Sequence, residues 1–127
     1  CYSYVGHQRR EQDISIGRGC ERMGIVAHEI LHALGFWHEQ SRKDRDQYVT
    51  INWNNIRAGK AHNFNKHLNS HTLGAPYDYN SLMHYGRRSF SKNGRDTITP
   101  KKSGAAIGQR DGLSRVDIWQ VRKRYSC

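Results

Sequence analysis

No apolar run in this 127-residue chain comes near the roughly 20 residues of a membrane-spanning helix, so no such span is expected. Only two prolines and no low-complexity stretch are present, which argues against a disordered or linker-like chain. The absence of any C-x-x-C pair argues against a zinc site built on cysteine. Acidic residues are scarce: 11 Asp and Glu stand against 21 Lys and Arg, a formal net charge of +10 with neutral His. That imbalance favours acidic partners or substrates. The basic pairs are scattered, from Arg9-Arg10 to Arg122-Lys123-Arg124, without the single stripe and aromatic platform of a nucleic-acid binder, and no nucleic-acid role is expected. Hydrophobic residues make up 35%, a thin supply for a core, but three Trp, seven Tyr and three Phe each bury a large area. Length and composition together point to one domain over residues 1–127.

Three cysteines make an odd count, with Cys1 and Cys127 at the two ends and Cys20 between them. An oxidising, extracellular compartment with one internal disulfide and one cysteine left for a partner outside the sequence accounts for that number. The opening Cys1-Tyr2-Ser3-Tyr4 is not itself a signal peptide.

Along the chain, Tyr2–Val5, Asp13–Gly17 and Tyr48–Ile51 have short β character. From Arg22 to Leu34 the apolar residues Met23, Val26, Ala27, Ile30, Leu31 and Leu34 recur at helical spacing, and Gly35 stands where a left-handed cap would end the helix. Asn54 or Asn55 is expected to cap a helix carrying Ile56, Ala61 and Phe64. Residues 69–97 carry mostly turn chemistry. A last helix begins at Ser114, with Asp117 at its third position and Val116, Ile118, Trp119 and Val121 leading to Tyr125. The expected class is α+β with irregular loops.

The chemistry concentrates in His28-Glu29-Ile30-Leu31-His32-Ala33-Leu34-Gly35-Phe36-Trp37-His38-Glu39. Residues four apart on a helix point the same way, so His28 and His32 can occupy two corners of a zinc tetrahedron. Gly35 lets the chain leave the helix at positive φ, and His38 can swing back as the third ligand. Three protein ligands leave one corner for water, the mark of a catalytic zinc rather than a structural one. Glu29 sits beside the first ligand and can reach that water without binding the metal. The remaining histidines read differently. His7 and His62 are expected at the surface, and Asn69-Ser70 between His67 and His71 argues against a second metal site there.

With its Gly35-Phe36-Trp37-His38-Glu39-Gln40-Ser41-Arg42 continuation, and with Asp44-Arg45-Asp46, Pro76-Tyr77-Asp78-Tyr79 and Ser81-Leu82-Met83-His84-Tyr85 beyond it, the chain resembles the astacin family of zinc endopeptidases within the metzincins. The resemblance runs over nearly the whole chain and implies a zincin-like protease fold, with an active-site helix, a Met-turn and a C-terminal helix. It implies one catalytic zinc on His28, His32 and His38, with Glu29 as general base and acid. Met83 would floor the metal site without ligating it. Tyr85 would be a switchable fifth ligand that leaves the metal to hydrogen-bond the tetrahedral intermediate. Glu39 would receive a buried amino terminus through a hydrogen-bonded network. By the same resemblance Cys1 pairs with Cys20, while Cys127 pairs with a cysteine outside this chain.

Family domains have about two hundred residues by resemblance, with the zinc helix near the middle. The early position of His28 therefore implies that an N-terminal subdomain is lacking here, leaving the C-terminal two thirds. The function expected is that of a secreted zinc endopeptidase cleaving protein or peptide substrates through a zinc-bound water activated by Glu29. The rival readings are a catalytically weak zinc-binding remnant acting as an interaction module, and a cationic binder of acidic glycans. Many relatives prefer an acidic residue just after the scissile bond, and Arg87, Arg88 and Arg110 are the candidate cations for such a preference.

Overall fold

A computed structural model describes residues 1–127. The helical spacing after Arg22 becomes α1, Met23–Ala33, whose buried stripe is mainly polar: Gly24, His28, Glu29, Leu31 and His32. Its end is set by the backbone. Gly35 N–H donates to the His32 carbonyl at 2.8 Å and Phe36 N–H to the Leu31 carbonyl at 3.0 Å, a double closure that needs the positive φ of 92° at Gly35. A glycine adopts that conformation without Cβ strain, and the reversal turns the chain back along the helix face.

Two small antiparallel sheets flank the loops. β1 (Tyr2–Ser3) pairs with β2 (Ile14–Ser15), and the Cys1–Cys20 disulfide closes this hairpin across a Cα separation of 6.3 Å. Cys127 is free and exposed. β3 (Val49–Ile51) pairs with β4 (Ile98–Pro100) in the register Val49–Pro100 and Ile51–Ile98, so alternate residues point inward. Val49, Ile51 and Ile98 meet Ile56, Phe64 and Tyr77 in the larger apolar cluster. A smaller cluster of Leu31, Leu82 and Met83 joins α1 to the loop beyond. α2 (Arg115–Tyr125) starts in a capping box, with Ser114 Oγ accepting from Asp117 N–H and the Asp117 carboxylate accepting from Ser114 N–H. No helix is long and apolar enough to cross a membrane.

The segment after β3 differs from the expectation. Asn54 and Asn55 cap no α-helix; two short 3₁₀ turns, Trp53–Asn55 and Ala61–Phe64, stand there instead. The backbone is spent elsewhere: Ile56 bridges to Ser91, and Arg57 N–H donates to the Phe90 carbonyl at 2.8 Å. A helix would have to give up both pairings, and Phe64 reaches the core at 0% exposure without one. Two of the basic residues, Arg42 and Arg45, are buried.

Gly24 packs so closely that a Cβ there would overlap the Arg110 carbonyl oxygen. Alanine at this helical position would gain about 1 kcal/mol of helix propensity. Overpacking against backbone typically costs about 1–3 kcal/mol. Gly24→Ala is therefore expected to lower the thermal unfolding midpoint despite its better propensity, as followed by circular dichroism.

Candidate metal centre and active site

α1 projects His28 and His32 from one face, and the Gly35 reversal brings His38 against them. The Nε2 atom of His38 lies 3.2 Å from Nε2 of His28 and 3.2 Å from Nε2 of His32. Both helical rings have their other nitrogen on a carbonyl: His28 Nδ1 donates to Leu82 O at 2.9 Å, and His32 Nδ1 to Phe36 O at 2.8 Å. A carbonyl only accepts, so those Nδ1 atoms carry the protons and the two Nε2 lone pairs are bare. One proton on His38 cannot serve two acceptors. A cation satisfies all three lone pairs together, and ligand atoms of a tetrahedral zinc with nitrogen donors stand about 3.3 Å apart. The donor set and its spacing fit zinc.

Electrostatics favour the neutral imidazoles that a metal requires. Burial pushes His28 down to about 4, with the charge of Arg110 adding to the shift and the Leu82 bond opposing it. Burial lowers His32 likewise and holds His38 well below its ordinary value. Glu29, 7% exposed and next to His28, has its carboxyl raised by burial, with Arg110 pulling partly the other way. The Tyr85 ring centroid is 4.5 Å from that of His38, and burial raises its phenol above the ordinary value. Glu29, Tyr85 and the three histidines line one open cleft of about 550 Å³, whose other walls include Tyr2, Trp37 and His67.

Several groups hold this arrangement in place. Tyr85 is pinned through its backbone: its N–H donates to Gln40 Oε1 at 3.0 Å, and its carbonyl accepts from His84 Nδ1 at 2.7 Å. Glu39 N–H donates to the Met83 carbonyl at 3.0 Å, so the turn under the metal site is tied to the segment after His38. Met83 itself is 3% exposed and packs on Leu31 and Leu82. Glu39 Oε1 accepts from Arg42 Nη1 at 3.2 Å and from Asp78 N–H at 2.8 Å; burial still raises its carboxyl to about 7. Beside it lies a smaller cavity of about 40 Å³, lined by Glu39, Arg42 and Asp117 among others. The Ser81 and Asp117 side chains join on the far side of the Met83 turn, 2.6 Å apart. Gln40, Ser81 and His84 lie inside the motifs that carry the family resemblance, but no local pattern reveals the bonds they make, and the capping position of Asp117 does not reveal its bonds to Ser81 and Leu82.

His62 is exposed at the edge of the same cleft, and His67, in its wall, stacks on Trp37 with ring centroids 3.8 Å apart and is not part of the metal-ligand triad. Arg87 and Arg88 both engage Asp96. Arg110 has no carboxylate partner; its Nη1 donates to the His84 and Gln109 carbonyls.

Comparison with known proteins agrees with this geometry. The family model for astacin, a peptidase family, matches residues 1–126. The chain is 52% identical to zinc metalloproteinase nas-15 of Caenorhabditis elegans, covering 100% of this chain and 23% of that protein. It is 53% identical to high choriolytic enzyme 1 of Oryzias latipes, over 100% of this chain and 48% of the relative. The solved structure of that enzyme, a hatching enzyme zinc-protease of the medaka fish, superposes with a TM-score of 0.95 over 100% of this chain and 64% of its own. The chain thus spans at most about half the length of these two curated relatives.

Metal removal gives a direct check. Zinc at a thousandfold excess over its dissociation constant stabilises the folded state by about 4 kcal/mol if the unfolded chain does not bind it. Chelator is expected to lower the thermal midpoint of the wild-type chain, and His32→Ala to abolish both zinc uptake, measured by atomic absorption, and the chelator response.

Proposed function

The chain belongs to the astacin family of peptidases, and from that premise we propose that it hydrolyses peptide bonds of protein substrates outside the cell with one zinc ion. The observation that carries the reading is the convergence of three imidazole Nε2 atoms with a buried glutamate adjacent to the first. The Cys1–Cys20 disulfide supports an oxidising compartment.

His28, His32 and His38 would hold the ion. Bound there, zinc supplies Lewis acidity, polarising a carbonyl and acidifying water. The remaining steps belong to the chain. Glu29 takes a proton from the attacking water and returns it to the leaving amine; its burial favours the protonated state needed for the second half. Tyr85 keeps its phenolic proton in the neutral range and donates it as a hydrogen bond to the carbonyl oxygen as negative charge grows there. With its backbone pinned, the Tyr85 ring would be the part that turns toward that oxygen. Met83, packed on Leu31 and Leu82, would provide an apolar floor beneath the metal centre. Glu39, beside a small cavity that Arg42 and Asp117 also line, would receive an amino terminus there. For substrate preference, Arg110 is the favoured cation, because its charge acts on Glu29 and Tyr85 whereas Arg87 and Arg88 pair with Asp96.

Chelator-sensitive hydrolysis of casein tests the reading, and stoichiometric zinc without turnover would instead support a binding module. Glu29→Gln is expected to retain zinc and lose at least about a hundredfold in kcat on a quenched peptide. Tyr85→Phe is expected to retain zinc and lose about tenfold to a thousandfold in kcat with little change in KM, since its bond forms mainly in the transition state. A Tyr85→Phe effect confined to KM would make the residue a substrate contact.

A further inference from the structure

The Met83 turn has hydrogen bonds on both sides that form one continuous series. His28 Nδ1–H donates to the Leu82 carbonyl at 2.9 Å. The same peptide group, through Met83 N–H, donates to Ser81 Oγ at 3.0 Å. Ser81 Oγ in turn donates to Asp117 Oδ1 at 2.6 Å. Asp117 is 4% exposed, and its other oxygen accepts from Leu82 N–H and from Ser114 N–H, both at 2.9 Å. Every donor in the series points the same way, from the imidazole toward the carboxylate.

We propose that Ser81 and Asp117 are positioning residues for the metal centre, acting on His28 through the Leu82–Met83 peptide as an extended carboxylate–histidine relay. Histidine ligands commonly donate their second ring nitrogen to a carboxylate or carbonyl, which fixes the tautomer and raises ligand basicity. Here the carbonyl is itself polarised, because the N–H of its own peptide is bonded to a hydroxyl held by a buried carboxylate. Bonds in such a chain strengthen one another. His32 has a simpler arrangement: its Nδ1 meets the Phe36 carbonyl within the reversal after α1. The relay ties the ligand set to Asp117 in the first turn of α2, 89 residues beyond His28 along the chain.

The inference rests on His28 being a metal ligand, and the experiment separates the two ideas. Zinc dissociation constants are measured by competition with a chromophoric chelator, and the cobalt-substituted protein gives a visible spectrum that reports the ligand field directly. Ser81→Ala removes the hydroxyl while Asp117 keeps its bonds to Leu82 and Ser114. It is expected to weaken zinc binding about tenfold to a hundredfold and to shift the cobalt bands. Ser81→Thr, which restores a hydroxyl, is expected to bind close to wild type. Asp117→Asn keeps the shape, removes the charge at the end of the relay, and serves as a second probe with loss in the same range. Ser114→Ala removes the cap bond to the Asp117 N–H but leaves the Asp117 carboxylate its bonds to Ser81 Oγ and to the Leu82 and Ser114 N–H groups, so its zinc affinity is expected to stay near wild type. Unchanged affinity in both Ser81→Ala and Asp117→Asn overturns the relay, as does an equal loss in Ser114→Ala. A wild-type chain that takes up no zinc overturns the metal-centre reading and the relay with it.

Discussion

Three imidazole lone pairs directed at one point cannot coexist comfortably in a buried site unless a cation stands between them. The centre here has that character: two Nε2 atoms are stripped of protons by carbonyl partners, and the third lies 3.2 Å from each. Most other features of the fold serve this convergence. The left-handed Gly35 returns the chain so that His38 faces α1, and the turn at Met83 supplies the carbonyl that orients His28. The Glu39 N–H bond to Met83 fixes the turn to the ligand segment. Loss of any one would misdirect a ring, and zinc geometry tolerates little misdirection.

The interior is correspondingly polar. Buried polar and charged residues outnumber buried apolar ones, an unusual balance for a domain of this size. They are satisfied in networks rather than singly. Arg42 joins Glu39, Asp44 and the carbonyls of Ala75 and Pro76, while Arg45 reaches the carbonyls of Gln40 and Phe64 as well as Asp46. A planar guanidinium with five donors can organise several loops at once, where a lysine could not. Only Gln40 Nε2 remains buried without a protein partner, while its Oε1 supports the Tyr85 backbone. Long irregular segments can therefore hold a precise site because their backbone carbonyls are held by fixed cations.

Much of the site was legible from residue order, and for local reasons. The four-residue spacing of His28 and His32 needs only a helix, the reversal needs only Gly35, and the Ser114–Asp117 capping box needs only three residues of separation. The helix expected after Asn54 failed because Ile56 and Arg57 find partners around Phe90 and Ser91, more than thirty residues on. Periodicity within a segment carries no information about such pairings.

Residue order by itself determined the ligand triad, the adjacent glutamate and the family resemblance, since these depend on spacing along a few helical turns. The tertiary structure alone decided which groups stand behind them. His28 meets Leu82, Gln40 meets Tyr85, and Ser81 meets Asp117 across 54, 45 and 36 residues of chain. Asp117 shows the division most plainly. Its position three residues after Ser114 marks it as a cap, but its two oxygens also hold Ser81 and Leu82. That second duty arises only when α2 docks against the Met83 turn, because hydrogen bonds across such distances depend on the packed arrangement of elements and not on any local preference of the chain.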